Sequence, residues 1–263
     1  MKIGLLTIAT GRYVELLDGL LESARRHFFP GVGFTPFLFT DAAGGHDDPG
    51  PGVTRLPIEH EPWPMVTLKR YHAFSRYAST LRDMDYLFYI DVDMRFVAPC
   101  AGEILPTPEE KLVAVHHPAF YRGHRGIGSR LIDKWTGGRW SSRPLPHAAF
   151  PFERNPRSLA CISDPARRAY YCGGFNGGAT AAFLEMSAAL REAVDIDLAN
   201  GIVAVWHDES HLNRYLCGRT PRSLTPAYAR PETGYPHLRH LEPVIVALDK
   251  DHAYFRAAPT GRS

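Results

Sequence analysis

Apolar and polar residues alternate along the chain in runs of strand length and in stretches with helical spacing. Strands are predicted at Ile3–Ile8, Thr35–Thr40 and Tyr86–Ile90, where apolar residues predominate. Helices are predicted at 13–28 and 66–81, where apolar residues recur every three to four positions. Strands that alternate with helices in this way are typical of an α/β fold with a nucleotide-binding sheet.

The second half of the chain has a less regular pattern. A strand is predicted at 112–121, and helices are predicted at 181–194 and 206–216. Two segments rich in Gly and Pro, 42–64 and 122–149, predict long loops. The second loop also carries Arg and Trp, which would suit a flap near an anionic ligand; a solvated surface loop is an equal alternative.

Composition narrows the class of protein. A chain of 263 residues, 44% hydrophobic and 22% charged, fits one large globular domain. The net charge of +2 implies neither nucleic acid nor an anionic membrane as a partner. The N-terminus shows no signal-peptide cleavage site and no apolar span of about twenty residues. Widely spaced cysteines without C-x-x-C predict free thiols in a reducing compartment, hence a cytoplasmic protein: Cys100, Cys161, Cys172 and Cys217.

The candidate chemistry begins where the strand Tyr86–Ile90 ends. Four D-x-D patterns occur, at 83–85, 91–93, 195–197 and 249–251. About one is expected from composition, and only the second follows an apolar run of strand length. Side-chain alternation would put Asp91 and Asp93 on one face, at the sheet edge where α/β proteins bind ligands. Two carboxylates there suit a divalent cation shared with a phosphate; a polar strand end facing water is the alternative.

A glycine-rich segment, YYCGGFNGGA, occupies residues 170–179. Two Gly-Gly pairs flank Phe175 and Asn176, which is too many glycines for one turn. They indicate positive φ angles or the close approach of a ligand to the backbone. The spacing does not match the G-x-G-x-x-G fingerprint of Rossmann folds.

The segment WHDESHLNRYL predicts the start of a helix at 206–216. Asp208 or Ser210 could cap this helix, and capping with dipole compensation is the simplest role for Asp208 and Glu209. His207 and His211 are spaced i, i+4 without the H-E-x-x-H pattern, so a zinc site is not favoured.

Several segments together resemble glycosyltransferase family 6, which contains the histo-blood-group ABO transferases and the α-1,3-galactosyltransferases. In chain order they are KRYH, YLFYIDVDMRF, HHPAFY, FERNP, YYCGGFNGG and ANGIVAVWHDESHLNRYL. The resemblance runs from IATGRYV to LDKDHAYFR and implies a GT-A fold, an α/β fold with a mixed, mostly parallel central sheet. It implies one catalytic domain, 1–263, with a nucleotide-binding part at about 1–100, an acceptor-binding part at about 101–240 and a closing segment at about 241–263.

The reaction implied by the resemblance is retaining transfer of GalNAc or Gal from a UDP-sugar to the 3-position of an acceptor galactose. The expected partners are a UDP-sugar donor and a galactose-containing glycan. Vertebrate members carry an N-terminal membrane anchor and stem, so this sequence resembles a soluble bacterial or phage-type member. Many bacterial relatives have Asn-x-Asn and need no metal, whereas the DVD sequence here implies Mn²⁺ or another divalent cation on Asp91 and Asp93.

The donor site implied by the resemblance comprises Ile8, Ala9, Thr10, Tyr13, Arg70, Asp91, Val92, Asp93, Cys172, Gly173, Gly174, Asp208, Lys250 and Arg256. The first four of these would hold the uridine, and Val92 would pack by the ribose. Lys250 and Arg256 would close over the diphosphate, and Asp208 would bind hydroxyls of the donor sugar. Gly174 has no side chain and favours GalNAc over Gal, although Cys172 departs from the family's usual residue.

Glu209 matches the catalytic carboxylate of the family. It would act either as the nucleophile of a covalent intermediate or as a stabiliser of an oxocarbenium-like state. The acceptor contacts implied by the resemblance are His117, Ala119, Trp206 and Glu209. The family's other acceptor residues fall here on Pro151 and on Pro231 or Glu232, so the acceptor stays open.

Two other classes of protein compete with this interpretation. One is a glycan- or UDP-sugar-binding protein of the same fold with a decayed active site, although every matched catalytic position is filled. The other is a haloacid-dehalogenase-type phosphatase, whose D-x-D motif sits on the first strand and continues with Gly or Val and Thr. The motif here is in mid-chain and continues with Met94 and Arg95, so this class is discarded.

Overall fold

A seven-stranded sheet runs through the part of the chain that the computed structural model describes, residues 1–41, 52–121, 146–164, 166 and 169–256. The sheet order is β3-β2-β1-β4-β7-β6-β8. Its strands are β1 (Ile3–Ile8), β2 (Thr35–Thr40), β3 (Thr54–Pro57), β4 (Tyr86–Ile90), β6 (Leu112–His116), β7 (Tyr171–Ala179) and β8 (Arg222–Leu224). A smaller sheet has the order β5-β10-β9, with β5 (Met94–Phe96), β9 (Arg230–Pro231) and β10 (Ile245–Ala247).

Strand directions make the main sheet mixed but mostly parallel, as predicted. Strands β3, β2, β1 and β4 pair in parallel, and so do β6 and β8. Only β7 runs against its neighbours in this sheet, pairing antiparallel with β4 and β6. The carboxyl ends of β1 and β4 therefore lie together, which is the edge where ligands bind in open α/β sheets.

Helices cover both faces of the sheet. Within the described residues they are α1 (Leu17–His27), α2 (Met65–Leu68), α3 (Arg70–Arg76), α4 (Ala78–Leu81), α5 (Thr180–Ala199), α6 (His207–Tyr215) and α7 (His252–Arg256). Strand β4 is buried on both sides, since Phe88 and Ile90 face the core with α1, while Leu87 and Tyr89 face the core with α3 and α5. The uninterrupted apolar run of this strand is thereby explained.

Several predicted boundaries differ from the observed ones. The predicted helix 13–28 begins with a 3₁₀ turn, Gly11–Leu16, before α1. The predicted helix 66–81 is broken into α2, α3 and α4, because Lys69 and Tyr77 lie outside the helical conformation. The many β-branched and aromatic residues there weaken helix formation, and tertiary packing decides the breaks.

The predicted loop 42–64 and the predicted strand 112–121 also differ from the structure. Strand β3 lies inside the predicted loop 42–64, of which residues 42–51 are outside the described part. Strand β6 ends at His116, because Pro118 cannot donate to a ladder and begins the 3₁₀ turn Pro118–Phe120. Of the predicted loop 122–149, residues 122–145 lie outside the described part.

Strand β7 is the glycine-rich segment, and it is buried along almost its whole length. Val115 pairs with Cys172, but the preceding Ala114 pairs with Asn176, so residues 173–175 form a bulge (the glycine bulge). The second glycine pair has a different role from the ligand contact considered above. A side chain on Gly177 would collide with the backbone of β4, so close strand packing requires this glycine.

Candidate active site

A cleft of about 180 Å³ opens at the carboxyl ends of β1 and β4. Nine of the predicted donor residues line it: Ile8, Thr10, Tyr13, Arg70, Asp91, Val92, Asp93, Lys250 and Arg256. Ala9 is fully buried beneath this lining. The cleft therefore unites residues from the first and last parts of the chain around the D-x-D sequence.

The two aspartates lie in a turn between β4 and β5 (the aspartate turn, residues 91–93), and not on the strand as predicted. The strand ends at Ile90, and the amide of Met94 donates to the carbonyl of Asp91 at 3.0 Å. Val92 points into the core and is 4% exposed, while both carboxylates reach the cleft. The turn, and not the predicted strand alternation, therefore brings the two carboxylates to the same cleft.

Arg95 supports the aspartate turn from behind. Its guanidinium donates to the carbonyl of Val92 at 3.0 Å and, from the other terminal nitrogen, to the carbonyl of Leu16 at 2.9 Å. The guanidinium lies against Gly19, where a Cβ atom would be 2.7 Å from it. The turn is therefore tied to the start of α1.

Arg70 is the central cation of the site. Its Nε lies 2.9 Å from Asp208 Oδ2, and its Nη1 lies 3.3 Å from Asp91 Oδ1. The same Nη1 donates to the carbonyl of Gly173 at 3.0 Å, and the guanidinium stacks 4.6 Å from the ring of Tyr89. Tyr89 in turn donates to Asp91 Oδ1 at 2.5 Å. One buried guanidinium thus joins the aspartate turn, the glycine bulge and α6.

Asp208 and Glu209 do not cap α6, which corrects the simplest interpretation of the sequence. The N-cap residue is Trp206, whose own side chain makes no capping hydrogen bond; Ser210, the other predicted capping residue, accepts from the Trp206 amide through Oγ at 3.0 Å. Asp208 is 2% exposed, and its contact with Arg70 is an ion pair without hydrogen-bond alignment. Burial raises the pKa of Asp208 to about 6, against the opposing effect of Arg70.

Glu209 faces the glycine bulge. Its Oε2 accepts a hydrogen bond from the amide of Gly173 at 2.8 Å. Burial raises the pKa of Glu209 to about 7, while the Tyr170 hydroxyl and the Gly173 amide act in the opposite direction. The Tyr170 hydroxyl acts without a well-aligned hydrogen bond. A partly buried carboxylate with a pKa near 7 is a candidate for chemistry.

The absence of a side chain at Gly174 has a definite use. Its carbonyl accepts from the amide of Asp91 at 2.9 Å, so the bulge and the aspartate turn are hydrogen-bonded. A Cβ atom on Gly174 would lie 2.9 Å from Asp91 Oδ2 and 2.5 Å from Met94 Cε. A Cβ atom on Gly173 would instead lie 3.1 Å from Asp208 Oδ2. Gly174 therefore gives space to the Asp91 carboxylate, and Cys172 beside it is buried in the core.

The C-terminal segment contributes four residues to the lining of the cleft: Lys250, His252, Phe255 and Arg256. Lys250 contacts the Asp93 carboxylate, and Phe255 packs on Tyr13 with ring centroids 5.2 Å apart. Arg256 stacks 4.1 Å from the ring of Trp63. The segment thus brings two cations to the cleft, and Lys250 is the one that contacts the aspartate turn.

The predicted acceptor residues His117, Ala119, Trp206 and Glu209 are not part of the lining of the cleft. His117 Nδ1 accepts from the amide of Ala119 at 3.2 Å, and burial lowers the pKa of His117 to about 4. Its ring contacts Tyr170, the same residue that acts on Glu209. Trp206 is 50% exposed and immediately precedes α6. Of the predicted acceptor residues, His117 is therefore linked to Glu209 through Tyr170, and Trp206 stands three positions before Glu209 in the chain.

Sequence reasoning missed part of the lining: His60, Glu61, Trp63, Tyr89, His252 and Phe255. Tyr89 was predicted as an ordinary core residue, and the segment around Trp63 was predicted as a loop. Trp63 could have been singled out from the sequence, since a Trp in a polar, Pro-rich segment rarely belongs to the hydrophobic core.

The aspartate turn fits a divalent cation that shares its ligands with a diphosphate. Asp91 and Asp93 supply hard oxygen donors at the cleft; Arg70 and Tyr89 contact Asp91 through Oδ1, and Lys250 contacts Asp93 through Oδ2, which leaves one oxygen of each carboxylate for a cation. Two carboxylates are too few for an all-protein cage, and Mg²⁺-like ions commonly complete their shell with phosphate oxygens and water.

Comparison with known proteins agrees with the geometry. The family model described as glycosyltransferase family 6 matches residues 1–127 and 140–257. The chain belongs to this family, and its sheet is that of a GT-A-type fold.

Three relatives show the range of similarity. The chain is 34% identical over 236 residues to globoside alpha-1,3-N-acetylgalactosaminyltransferase 1 of Canis lupus familiaris, which covers 87% of this chain and 60% of that protein. It is 32% identical over 265 residues to histo-blood group ABO system transferase 1 of Rattus norvegicus, with 97% and 68% covered. It is 27% identical over 232 residues to the O-antigen biosynthesis glycosyltransferase WbnI of Escherichia coli, with 88% and 89% covered.

The chain therefore spans about three fifths of the length of the canine relative. Among the helices that the structure describes, none has both the length and the apolar character needed to cross a bilayer. The cysteines in the described residues are free thiols, as predicted.

Proposed function

We propose that the protein is a metal-dependent retaining glycosyltransferase that moves GalNAc or Gal from a UDP-sugar to the 3-hydroxyl of a galactose in a glycan. The observation that carries the proposal is the junction of Asp91, Asp208 and Glu209 through Arg70 and the glycine bulge. This junction brings the candidate diphosphate site and the candidate reacting carboxylate together from parts of the chain more than one hundred residues apart.

The donor diphosphate would lie on the aspartate turn. Lys250 and Arg256 carry positive charge above it, and a divalent cation on Asp91 and Asp93 would stabilise the charge that develops on the UDP leaving group. Tyr13 stands at the same cleft and would contact the uridine.

Retention of configuration would depend on Glu209. The amide of Gly173 fixes its carboxylate, which would face the anomeric carbon as a nucleophile or as a stabiliser of positive charge. Asp208, held by Arg70, would accept hydrogen bonds from hydroxyls of the donor sugar.

The donor preference is proposed from the glycine bulge. Gly173 leaves the space next to Asp208 and Glu209 without a side chain, whereas Gly174 faces Asp91 and Met94; the space at Gly173 supports GalNAc as donor with Gal as the alternative. A difference of one small group in such a pocket changes discrimination by about 1–3 kcal/mol. The named activities of the canine and rat relatives are consistent with a donor of this class.

The acceptor would bind between His117 and Trp206. His117 is held neutral by burial, and because its Nδ1 accepts from the Ala119 amide, its Nε2–H can donate one hydrogen bond to a sugar hydroxyl. The exposed indole of Trp206 offers an apolar platform. A galactose ring with one polar edge and one apolar face suits this pair.

A donor screen tests the proposal directly. UDP release would be measured with UDP-GalNAc, UDP-Gal, UDP-Glc and UDP-GlcNAc, with a β-galactoside acceptor and Mn²⁺, for the wild type and for Glu209→Gln. Turnover of the first two donors, an α-linked product by NMR and loss of turnover in the variant are expected. Binding of UDP by the wild type without turnover of any donor would favour the alternative, a UDP-sugar-binding protein with a decayed site.

A further inference from the structure

The segment FERNP (152–156) supplies no residue to the cleft, yet it contains a buried carboxylate. Glu153 is only 8% exposed, and a buried charge requires hydrogen-bond partners. Its Oε1 accepts from the amides of Arg154 at 2.8 Å and Asn155 at 2.7 Å. Its Oε2 accepts from the amide of Val205 at 2.8 Å, a residue 52 positions further along the chain. One side chain thus ties this segment to the backbone just before α6.

The backbone that follows Val205 is strained. His207 has φ of 51°, in the left-handed region that residues other than glycine rarely adopt. Such a conformation persists only where surrounding contacts hold it. Here the His207 amide donates to the carbonyl of Ala204 at 2.9 Å, and the Trp206 amide donates to Ser210 Oγ at 3.0 Å.

This strained turn decides where α6 begins and how its first residues are aimed. The Glu209 amide donates to the carbonyl of Trp206 at 3.0 Å, so the first helical turn is built on that carbonyl. From this position Asp208 reaches Arg70 and Glu209 reaches Gly173.

We propose that Glu153 is a positioning residue for Glu209: together with Ser210 it clamps the strained turn that orients the candidate catalytic carboxylates. The inference rests on the proposed function, because it takes Glu209 as the reacting group. Glu153 itself contacts neither the cleft nor the candidate reacting atoms, and it acts through the backbone at Val205.

The substitution Glu153→Gln tests the clamp because it keeps the shape of the side chain. A carboxylate offers acceptors at both oxygens, and here both sides receive amide hydrogens. A glutamine offers one oxygen and one NH₂ group, so an N–H must face an N–H on one side. The variant therefore loses either the hydrogen bonds from the amides of Arg154 and Asn155 or the hydrogen bond from the amide of Val205.

Two readouts separate positioning from general stability. In Glu153→Gln we expect kcat for sugar transfer to fall at least tenfold, while the Kd for UDP with Mn²⁺ changes less than twofold. We also expect the amides of residues 205–209 to exchange at least tenfold faster in hydrogen–deuterium exchange. The second readout requires no activity.

Ser158→Ala is the matched control in the same part of the chain. The Ser158 hydroxyl donates to Asp197 Oδ2 at 2.6 Å and has no recorded bond to Val205. This control should keep kcat within twofold of the wild type. If Glu153→Gln does not fold, Ser210→Ala removes the other half of the clamp and should lower kcat in the same direction.

The proposal is overturned if Glu153→Gln keeps kcat and the exchange rates of residues 205–209 within twofold. It is also overturned if Ser158→Ala lowers kcat as much as Glu153→Gln does, since the effect would then be structural. If the wild type turns over no UDP-sugar, the proposed function fails, and the exchange experiment still decides whether Glu153 holds the turn.

Discussion

The Nε of Arg70 lies 2.9 Å from Oδ2 of Asp208, and the two side chains are 6% and 2% exposed. This buried ion pair joins α3 to α6, and the same guanidinium contacts Asp91 and the carbonyl of Gly173. Arg70 therefore satisfies two carboxylates that would otherwise repel each other at the inner end of the cleft.

Removal of the Arg70 cation should destabilise the fold. Arg70→Met leaves Asp208 buried without its partner, and breaking a buried ion pair on one side costs about 3–5 kcal/mol. The loss should be largest at pH 8, because Asp208, whose pKa burial already raises to about 6, can take up a proton at lower pH. Urea denaturation of the wild type and the variant at pH 8 and at pH 5 measures the loss in the free energy of unfolding at each pH.

The controls for this prediction are a surface arginine and a double variant. Arg82→Met removes an exposed cation and should change the free energy of unfolding by less than about 0.5 kcal/mol. Arg70→Met with Asp208→Asn should recover part of the lost stability, since no uncompensated charge is left. Additive losses in the double variant would show that the pair does not act as a unit.

Loss of one carboxylate from the aspartate turn should abolish the activity that the divalent cation supports. Asp93→Asn keeps the shape of the side chain but removes the charge, and we expect Mn²⁺-supported UDP release to fall at least about a hundredfold. EDTA should have the same effect on the wild type.

The matched control is Asp83→Asn, which alters an exposed aspartate of another D-x-D sequence. It should leave UDP release unchanged. Full activity of the wild type in EDTA would contradict the cation part of the proposal, and activity lost equally in both variants would contradict the assignment to Asp93.

The pH dependence of activity should report the buried carboxylates. Burial raises the pKa of Glu209 to about 7 and that of Asp208 to about 6, above their ordinary values of 4.5 and 3.8. If both must be ionised, kcat/KM falls as pH decreases through about 7 and then about 6, with two overlapping ionisations of a coupled pair. Initial rates of UDP release between pH 5 and pH 9 measure this limb.

The direction of these pKa shifts also predicts how the free energy of unfolding depends on pH. Because both pKa values are higher in the folded state, that state binds more protons between about pH 4 and pH 7, and stability falls as pH rises through this window. Glu209→Gln should remove part of that fall in stability.

For the activity profile, a kcat/KM that is flat between pH 6 and pH 8 would argue against an essential Glu209 carboxylate.

A methyl group at Gly174 should damage the cation site. In Gly174→Ala the new Cβ lies 2.9 Å from Asp91 Oδ2 and 2.5 Å from Met94 Cε. Met94 can move its flexible end, but Asp91 must also shift away from the glycine bulge. We expect the Kd for Mn²⁺ in the presence of UDP to rise about tenfold or more, with activity reduced for GalNAc and Gal donors alike.

Gly102→Ala is the matched control, because no atom lies within 4 Å of a Cβ at Gly102. It should behave as the wild type in Mn²⁺ binding and in turnover. A variant Gly174→Ala that binds Mn²⁺ normally and exchanges one donor for the other would show that this position selects the donor sugar instead.

Most of the sheet follows from local patterns in the sequence. The strand Tyr86–Ile90 was predictable because a strand buried on both faces needs an unbroken apolar run. Strand β7 was not, because its glycines are poor strand formers and its place depends on packing against β4 and β6. Strand β3 is four residues long and lies in a Pro- and Gly-rich segment, so no local periodicity marks it.

The residues of the candidate site also fall into those that local sequence patterns predict and those that they do not. Asp91 and Asp93 could be proposed from their position after a strand, although a turn presents them rather than the strand. Asp208 and Glu209 follow the pattern of a helix start, and only the family resemblance singled them out. The contacts of Arg70 and Glu153 could not be predicted, because both span long distances in sequence and depend on tertiary packing.

Val92 stands between the two aspartates with its side chain embedded in the core. Close packing around Val92 fixes the backbone on both sides of it, so the packing of the core sets the separation of the two carboxylates. A site built in this manner has little freedom to expand or contract around ions of different radius. The proposed cation site would therefore favour ions whose radius suits this fixed separation, with oxygens of the diphosphate and of water completing the coordination shell.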